Sequence, residues 1–93
     1  MIEVNGDCLS VSVPMTMANA TALEAKGMAL LPASSGVVEL QAVRELDSSA
    51  LAVIFSWQRA AKLAGREVKI AHAPESLLSL AALYDVTELL SLV

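Results

Sequence analysis

Two adjacent serines at the start of a predicted helix are the side chains in this sequence best placed to do chemistry. Ser48 and Ser49 follow Asp47 and precede a run of helix-favouring residues. The backbone N–H groups of a first helical turn have no partner within the helix, so a phosphate added to either hydroxyl would meet donors and a favourable dipole. Asp and Ser are also common helix caps. We therefore expect these serines to be a partner contact, a phosphorylation site or a cap.

The other reactive side chains do not form a catalytic or metal-binding pattern. The chain has one histidine, His72, and one cysteine, Cys8, which stand far apart in the sequence. Nucleophilic catalysis needs a nucleophile beside a positioned base, and a metal site needs several closely spaced ligands. No glycine-rich phosphate-binding loop is present either. We predict no catalytic residue, no metal ion and no cofactor, and hence a binding protein rather than an enzyme.

A single helix predicted over residues 47–65 positions the two serines. Gly65 marks its end, because glycine tolerates the left-handed backbone that follows a last helical turn. Trp57 could belong either to the core or to a binding surface. Apolar residues at near-helical spacing predict a stripe that faces the core: Leu51, Ile54, Phe55 and Ala61.

The outward side of this helix is a candidate partner face. Helical spacing predicts that this row consists of Ala52, Ser56, Arg59 and Lys62. Its two cations could pair with acidic groups on a partner protein. They could equally form a solvated face that complements the negative pole of the helix. The spacing alone leaves both interpretations open.

Composition and charge restrict the class of partner and the location. The chain has 93 residues, a formal net charge of −4 and an apolar fraction of 56%. An acidic chain lacks the basic footprint that nucleic-acid binding needs, so no nucleic acid is expected as a partner. No apolar run reaches the roughly 18–20 residues that would span a membrane. Glu3 and Asp7 stand where a signal peptide would be positively charged, and a single cysteine suits a reducing compartment, so we expect a cytoplasmic protein.

Strands alternate with helices along the chain. Residues 2–13 show period-2 alternation on both sides of an Asn-Gly-Asp turn, which predicts a hairpin. A short helix weakened at Gly27 should follow, and then a strand at 37–40, the central helix, a strand at 67–71 and a helix at 75–83. Residues 85–93 could form a last short helix or a strand with a tail. This order predicts one α/β domain over residues 1–93, with a sheet covered by helices.

These residues resemble the STAS domain, a family that includes sulphate-transporter tails and anti-sigma-factor antagonists. At the start of the central helix the family has Asp, then Ser or Thr, then Ser, Thr or Gly, then Gly, then Leu. Asp47, Ser48, Ser49 and Leu51 match this pattern, whereas Ala50 stands where the family usually has Gly. The order of elements matches over nearly the whole chain. The resemblance implies a mixed sheet of four to five strands with three to four helices packed on it, and a supporting role for Asp47 and Ala50 at the helix start.

One group of stand-alone STAS domains of this length is the small cytoplasmic subunit of Mla-type ABC transporters. These transporters move phospholipid between the inner and outer membranes of Gram-negative bacteria. The subunit docks on the ATPase, partly through the start of the same helix, and the stretch Leu83-Tyr84-Asp85-Val86 is similar to its ending. This resemblance implies a non-enzymatic accessory subunit for phospholipid trafficking and outer-membrane lipid asymmetry, peripheral to the inner membrane through its complex.

The alternative group antagonises anti-sigma factors. Its members are switched by phosphorylation of the first hydroxyl residue of the motif, which here is Ser48. The partner would then be an anti-sigma factor or serine kinase. The methyl group of Ala50 would crowd a kinase that approaches Ser48, which weakens this hypothesis relative to the transporter.

Overall fold

The first two strands form the predicted hairpin. A computed structural model describes residues 2–93, and Met1, the first residue of the predicted domain, lies outside them. Strand β1 (Ile2–Asn5) pairs antiparallel with strand β2 (Cys8–Val11). Gly6 occupies the turn with a φ of 66°, a left-handed backbone that would strain a residue with a side chain.

Two helical crossovers extend this hairpin into a mixed sheet. Helix α1 (Ala20–Leu30) leads from β2 to strand β3 (Val37–Glu39), and helix α2 (Ser49–Leu63) leads from β3 to strand β4 (Lys69–Ala71). Each new strand lies parallel to the strand before it, and the sheet order is β1-β2-β3-β4. Because the chain always moves in one direction across the sheet, right-handed crossovers place α1 and α2 on the same face.

The carboxyl-terminal part of the chain adds one more helix and a short extension of the sheet. Helix α3 spans Glu75–Leu83, as predicted. Residues 85–93 contain a 3-10 turn at Thr87–Leu89 and a single parallel bridge between Leu92 and Ile70. Within residues 2–93 the sheet therefore has four strands, and the α/β class with helices packed on a mixed sheet is confirmed.

The core lies between the sheet and the layer of helices. Strand residues alternate, so that Leu9, Val38 and Ile70 are buried beneath the helices while Glu39 lies on the more open opposite face. None of the helices in the described part of the chain is long and apolar enough to cross a bilayer. The helices contribute a fully or nearly fully buried set: Leu23, Ala50, Leu51, Val53, Ile54, Trp57, Leu77 and Ala81.

Helix α1 is longer than its sequence predicts. The sequence predicts a short helix weakened at Gly27, but the helix runs through this residue to Leu30. Gly27 is buried against Trp57, and a β-carbon at this position would overlap the indole ring. The indole N–H of Trp57 donates to the C=O of Glu24 at 3.1 Å. Close packing of α1 on α2 offsets the low helix propensity of glycine, which is roughly 1 kcal/mol relative to alanine.

Candidate functional site

Asp47 holds the start of α2 in place. Its Oδ1 accepts a hydrogen bond from the Ser49 N–H at 2.8 Å, and its Oδ2 accepts one from the Met17 N–H at 3.1 Å. The Asp47 N–H in turn donates to the Met15 C=O at 3.2 Å. These bonds join the first turn of α2 to the loop that follows β2. Asp47 therefore caps the helix and fixes the neighbouring loop, which agrees with the predicted support of the helix start.

The same bonds lower the pKa of Asp47 below its ordinary value of 3.8. The bond from the Met17 N–H is the largest cause and that from the Ser49 N–H is the next, because both stabilise the charged carboxylate. Desolvation opposes them with a smaller effect. The side chain is therefore a carboxylate at neutral pH, where it also interacts favourably with the positive pole of α2.

Ser48 is exposed at this helix start, and Ser49 is half-buried. The Ser48 side chain makes no capping hydrogen bond to any residue from 2 to 93, so its hydroxyl faces a partner or solvent. The expected free donors of the first turn are not there. The N–H of Ser49 is taken by the Asp47 carboxylate, that of Ala50 by the Asp47 C=O, and that of Leu51 by the Ser48 C=O. A phosphate on Ser48 would instead lie close to the Asp47 carboxylate.

Ala50 supports the helix start from the inside. It has no exposed surface, so its methyl group lies in the core beneath the first turn of α2. The expectation that this methyl would crowd a kinase at Ser48 is therefore wrong. An alanine in place of the usual glycine of the motif fills core volume and leaves the outer surface beside Ser48 unchanged.

A shallow apolar groove begins at Ser48 and follows α2. Leu51 forms its floor, being 5% exposed, whereas Tyr84 is 54% exposed at the rim. Exposed apolar surface bordered by polar groups is typical of protein-binding sites. Phe55, predicted to be core, is only half-buried and faces this groove. We call this surface the Ser48 groove, and its lining residues are Ser48, Leu51, Phe55, Tyr84 and Val86.

The backbone after α3 brings Val86 to this groove. Asp85 has a φ of 57°, the Val86 N–H donates to the Ala81 C=O at 2.8 Å, and the Asp85 N–H donates to the Ala82 C=O at 3.1 Å. This is a Schellman motif, in which one residue with a left-handed backbone reverses the chain after a helix. Aspartate tolerates that conformation. Because glycine does not mark this turn, the sequence did not reveal that Tyr84 and Val86 contribute to the site.

The row predicted to face outward on α2 is exposed at three of its four positions. Ala52, Arg59 and Lys62 are exposed on α2, as predicted. Ser56 is only 8% exposed, so its place in the outward row is wrong. The reason is the close packing of α1 on this flank of α2, where Trp57 is fully buried. Trp57 is thus a core residue.

His72 has a partner that the sequence did not reveal. Its Nδ1 lies 2.6 and 2.7 Å from the two carboxylate oxygens of Glu39. Glu39 ends β3 and His72 directly follows β4, so strand register places them together across 33 positions of sequence. No group of three or more His, Cys, Asp and Glu residues between positions 2 and 93 could hold a metal ion.

Comparison with known proteins identifies the family. A protein-family model described as "Mlab, STAS domain" matches residues 2–92. The chain belongs to the STAS family. Its structure is also similar to that of a candidate anti-sigma factor antagonist from Thermotoga maritima, with a TM-score of 0.75 and 14% sequence identity over 99% of this chain and 83% of that chain. At this identity the likeness shows the shared fold alone. The comparison with curated proteins gives no match.

The family assignment confirms the resemblance drawn from the motif at the start of α2. In this STAS domain the side chains of the motif residues point in different directions. Asp47 is bound to the neighbouring loop, Ala50 and Leu51 are buried, and Ser48 is exposed. The motif therefore presents a single exposed hydroxyl at the edge of an apolar groove.

Proposed function

We propose that this STAS domain is a non-enzymatic docking subunit that binds the ATPase of an Mla-type ABC transporter. The observation that carries the proposal is the Ser48 groove, in which an exposed hydroxyl borders apolar side chains on a helix whose start is held by Asp47. The description of the matching family model supports the transporter group. In this role the protein would be cytoplasmic, reach the inner membrane only through its complex, and support the phospholipid transport that maintains outer-membrane asymmetry.

The geometry of the groove suits a protein partner. Tyr84 and Phe55 offer aromatic surface, and tyrosine is among the residues most often found at binding hot spots. Because Asp47 already orders the helix start, little conformational entropy is lost there on binding. Arg59 and Lys62 lie further along the exposed side of α2, where they would contribute to orientation and association rate more than to affinity.

A second candidate function is antagonism of an anti-sigma factor, switched at Ser48. It is supported by the exposure of Ser48 and by the fold shared with the Thermotoga maritima protein. A phosphate would add about −1.5 to −2 charges at neutral pH. At Ser48 this charge would lie beside the Asp47 carboxylate and an apolar groove, so modification would disrupt a complex through repulsion and desolvation.

Affinity purification of the tagged protein from its native host, followed by mass spectrometry, tests both functions. The variant Ser48→Asp places a negative charge at the groove. Ser79→Asp is the matched control, because Ser79 is an exposed serine on α3 that does not line the groove. We expect the wild type and the control to recover an ABC-type ATPase with its permease. Ser48→Asp should recover roughly one tenth of that amount or less.

Two results would change this conclusion. Recovery of a serine kinase or anti-sigma factor, with phosphate on Ser48, would establish the second function. If Ser48→Asp recovered as much ATPase as the wild type does, Ser48 would lie outside the interface and the groove would not be the docking site. Purification of Ser48→Ala distinguishes charge from contact, since the loss of one hydroxyl should weaken binding far less than an added carboxylate.

A further inference from the structure

A second groove lies at the opposite end of α2 from Ser48. Here the helix ends in another Schellman motif, with Gly65 at a φ of 72° and the Arg66 N–H donating to the Ala61 C=O at 2.7 Å. The chain then turns into β4, and the segment after α3 returns alongside it. The resulting depression is lined on one side by α2 and on the other by the final residues. We call it the Gln58 groove, and its main lining residues are Gln58, Lys62, Arg66, Glu67, Leu89 and Ser91.

The Gln58 side chain is the first sign that this groove takes a ligand. Its Nε2 is buried and has no hydrogen-bond partner among residues 2–93. A buried amide donor without an acceptor is destabilising, so an unpaired one needs an explanation. Because Nε2 has almost no accessible surface, an acceptor on a bound molecule would pair with it only after the Gln58 side chain changes rotamer, which is common at binding surfaces.

The charges around the groove indicate which acceptor this is. Lys62 and Arg66 are exposed cations on the lining. Arg66 donates through Nη2 to the Ser34 C=O at 2.9 Å, which holds the guanidinium in place and leaves its other N–H groups for a ligand. Glu67 also lines the groove, but its carboxylate lies 3.6 Å from the Lys69 Nζ. The lining is therefore net positive in a chain whose net charge is −4.

The helix end does not cancel this attraction. The negative pole of a helix repels anions through its unsatisfied carbonyl groups. Here the C=O groups of Ala60, Ala61 and Lys62 accept hydrogen bonds from the N–H groups of the turn that follows. An anion in the groove would thus face the two cations, and the Gln58 amide once that side chain has rotated. Leu89, which is 62% exposed, adds an apolar rim.

We propose that the Gln58 groove binds an acidic segment of a protein partner, with a carboxylate against Gln58, Lys62 and Arg66 and an apolar side chain against Leu89. Charge complementarity and the unpaired amide select the carboxylate, and the exposed leucine selects a peptide with an adjacent apolar residue. The site is distinct from the Ser48 groove and does not depend on which partner binds there.

The test is an NMR titration of the 15N-labelled protein with two capped peptides, acetyl-Leu-Glu-Glu-Leu-amide and acetyl-Leu-Gln-Gln-Leu-amide. The acidic peptide should shift the side-chain amide signals of Gln58 and the backbone signals of Lys62 and Leu89 in a saturable way. The neutral peptide should bind roughly fivefold more weakly, since it lacks the charge-assisted bonds. Added salt should reduce that difference.

Variants separate the groove from general charge attraction. Lys62→Glu should weaken binding of the acidic peptide about fivefold or more. Lys26→Glu is the matched control, because Lys26 is an exposed lysine on α1 that does not line this groove, and it should leave the affinity unchanged. Ser48→Asp should also leave it unchanged, which keeps this test independent of the proposed function.

Three outcomes would overturn the proposal. Equal affinity for the two peptides would show that the carboxylate is not recognised. Equal effects of Lys62→Glu and Lys26→Glu would show that the groove is not the binding site. Binding of phosphatidylglycerol vesicles through the Gln58 and Leu89 signals, with no peptide response, would assign the groove to a membrane surface instead of a protein.

Discussion

The two flanks of α2 carry similar large side chains but have different surroundings. On one flank Trp57 is fully buried, lies against Gly27 and donates to the Glu24 C=O at 3.1 Å. On the other flank Phe55 is half-buried beside the exposed Ser48. Both flanks bear an aromatic ring within a helix of 15 residues. They differ because α1 covers the first and no element within residues 2–93 fully covers the second.

This difference separates stability from binding along one helix. The covered flank removes an indole ring from water and satisfies its N–H, so changes there should lower the free energy of unfolding. The open flank leaves apolar surface to a partner, so changes there should alter affinity with little effect on stability. Substitutions on the two flanks of α2 test that separation.

Removal of the indole should have the largest effect. Trp57→Ala loses the hydrogen bond to Glu24 and leaves a cavity in the core, so we expect the free energy of unfolding to fall by about 3–5 kcal/mol. Urea denaturation followed by circular dichroism measures this change. Leu63→Ala is the control on the same helix, because Leu63 is 90% exposed and its loss should change stability by less than about 0.5 kcal/mol. Similar losses in both variants would contradict the assignment of Trp57 to the core.

A methyl group at Gly27 should have the next largest effect. At an open helix position Gly→Ala stabilises a protein, but here the β-carbon would overlap the Trp57 ring. We therefore expect Gly27→Ala to destabilise the fold by about 1–3 kcal/mol in the same assay. In a Trp57→Leu background, where the ring is absent, Gly27→Ala should cost about 1 kcal/mol less than it does in the wild type. A coupling of this size is expected for residues in contact. Additive effects, or stabilisation by the single variant, would show that the two helices are not closely packed here.

The Asp47 cap should have a smaller and pH-dependent effect. Asp47→Asn removes the charge that the Met17 and Ser49 N–H groups stabilise, so the melting temperature at neutral pH should fall by about 5 °C. Since the folded-state pKa of Asp47 is lowered, its stabilising contribution is fully present above the ordinary pKa of 3.8 and is lost as the pH falls through the folded-state value. Thermal melts of both proteins across this range should therefore converge on acidification. A constant difference at every pH would mean that the charge makes no contribution.

The open flank should respond in binding and hardly in stability. Tyr84→Ala removes a half-exposed ring from the rim of the Ser48 groove, and we expect a change in unfolding free energy of less than about 0.5 kcal/mol. Its affinity for the partner recovered with the wild-type protein should fall by roughly tenfold or more, measured by calorimetry. Leu63→Ala again serves as the control. A large loss of stability in Tyr84→Ala would instead make this flank part of the core.

Local patterns in the sequence predicted most of the fold. The Asn-Gly turn, the alternation in the strands and the glycine at position 65 mark elements through properties of adjacent residues, and all of these elements are present. The prediction for Ser56 was wrong because helical spacing indicates which residues share a side of α2, but not which side another helix covers. Gly27 does not shorten α1 for a related reason, since Trp57, 30 positions away, makes glycine favourable there.

The sequence by itself determined the order of strands and helices, the start and end of α2, and the motif around Ser48, because these depend on backbone preferences and on residues close in the chain. Only the tertiary structure decided that Asp47 also binds the Met17 N–H, that Ala50 faces inward, and that Tyr84 and Val86 join Ser48 in one groove. Those features arise where segments 30 or more residues apart meet. Their contacts depend on the packing of helices over a sheet, which no local spacing encodes.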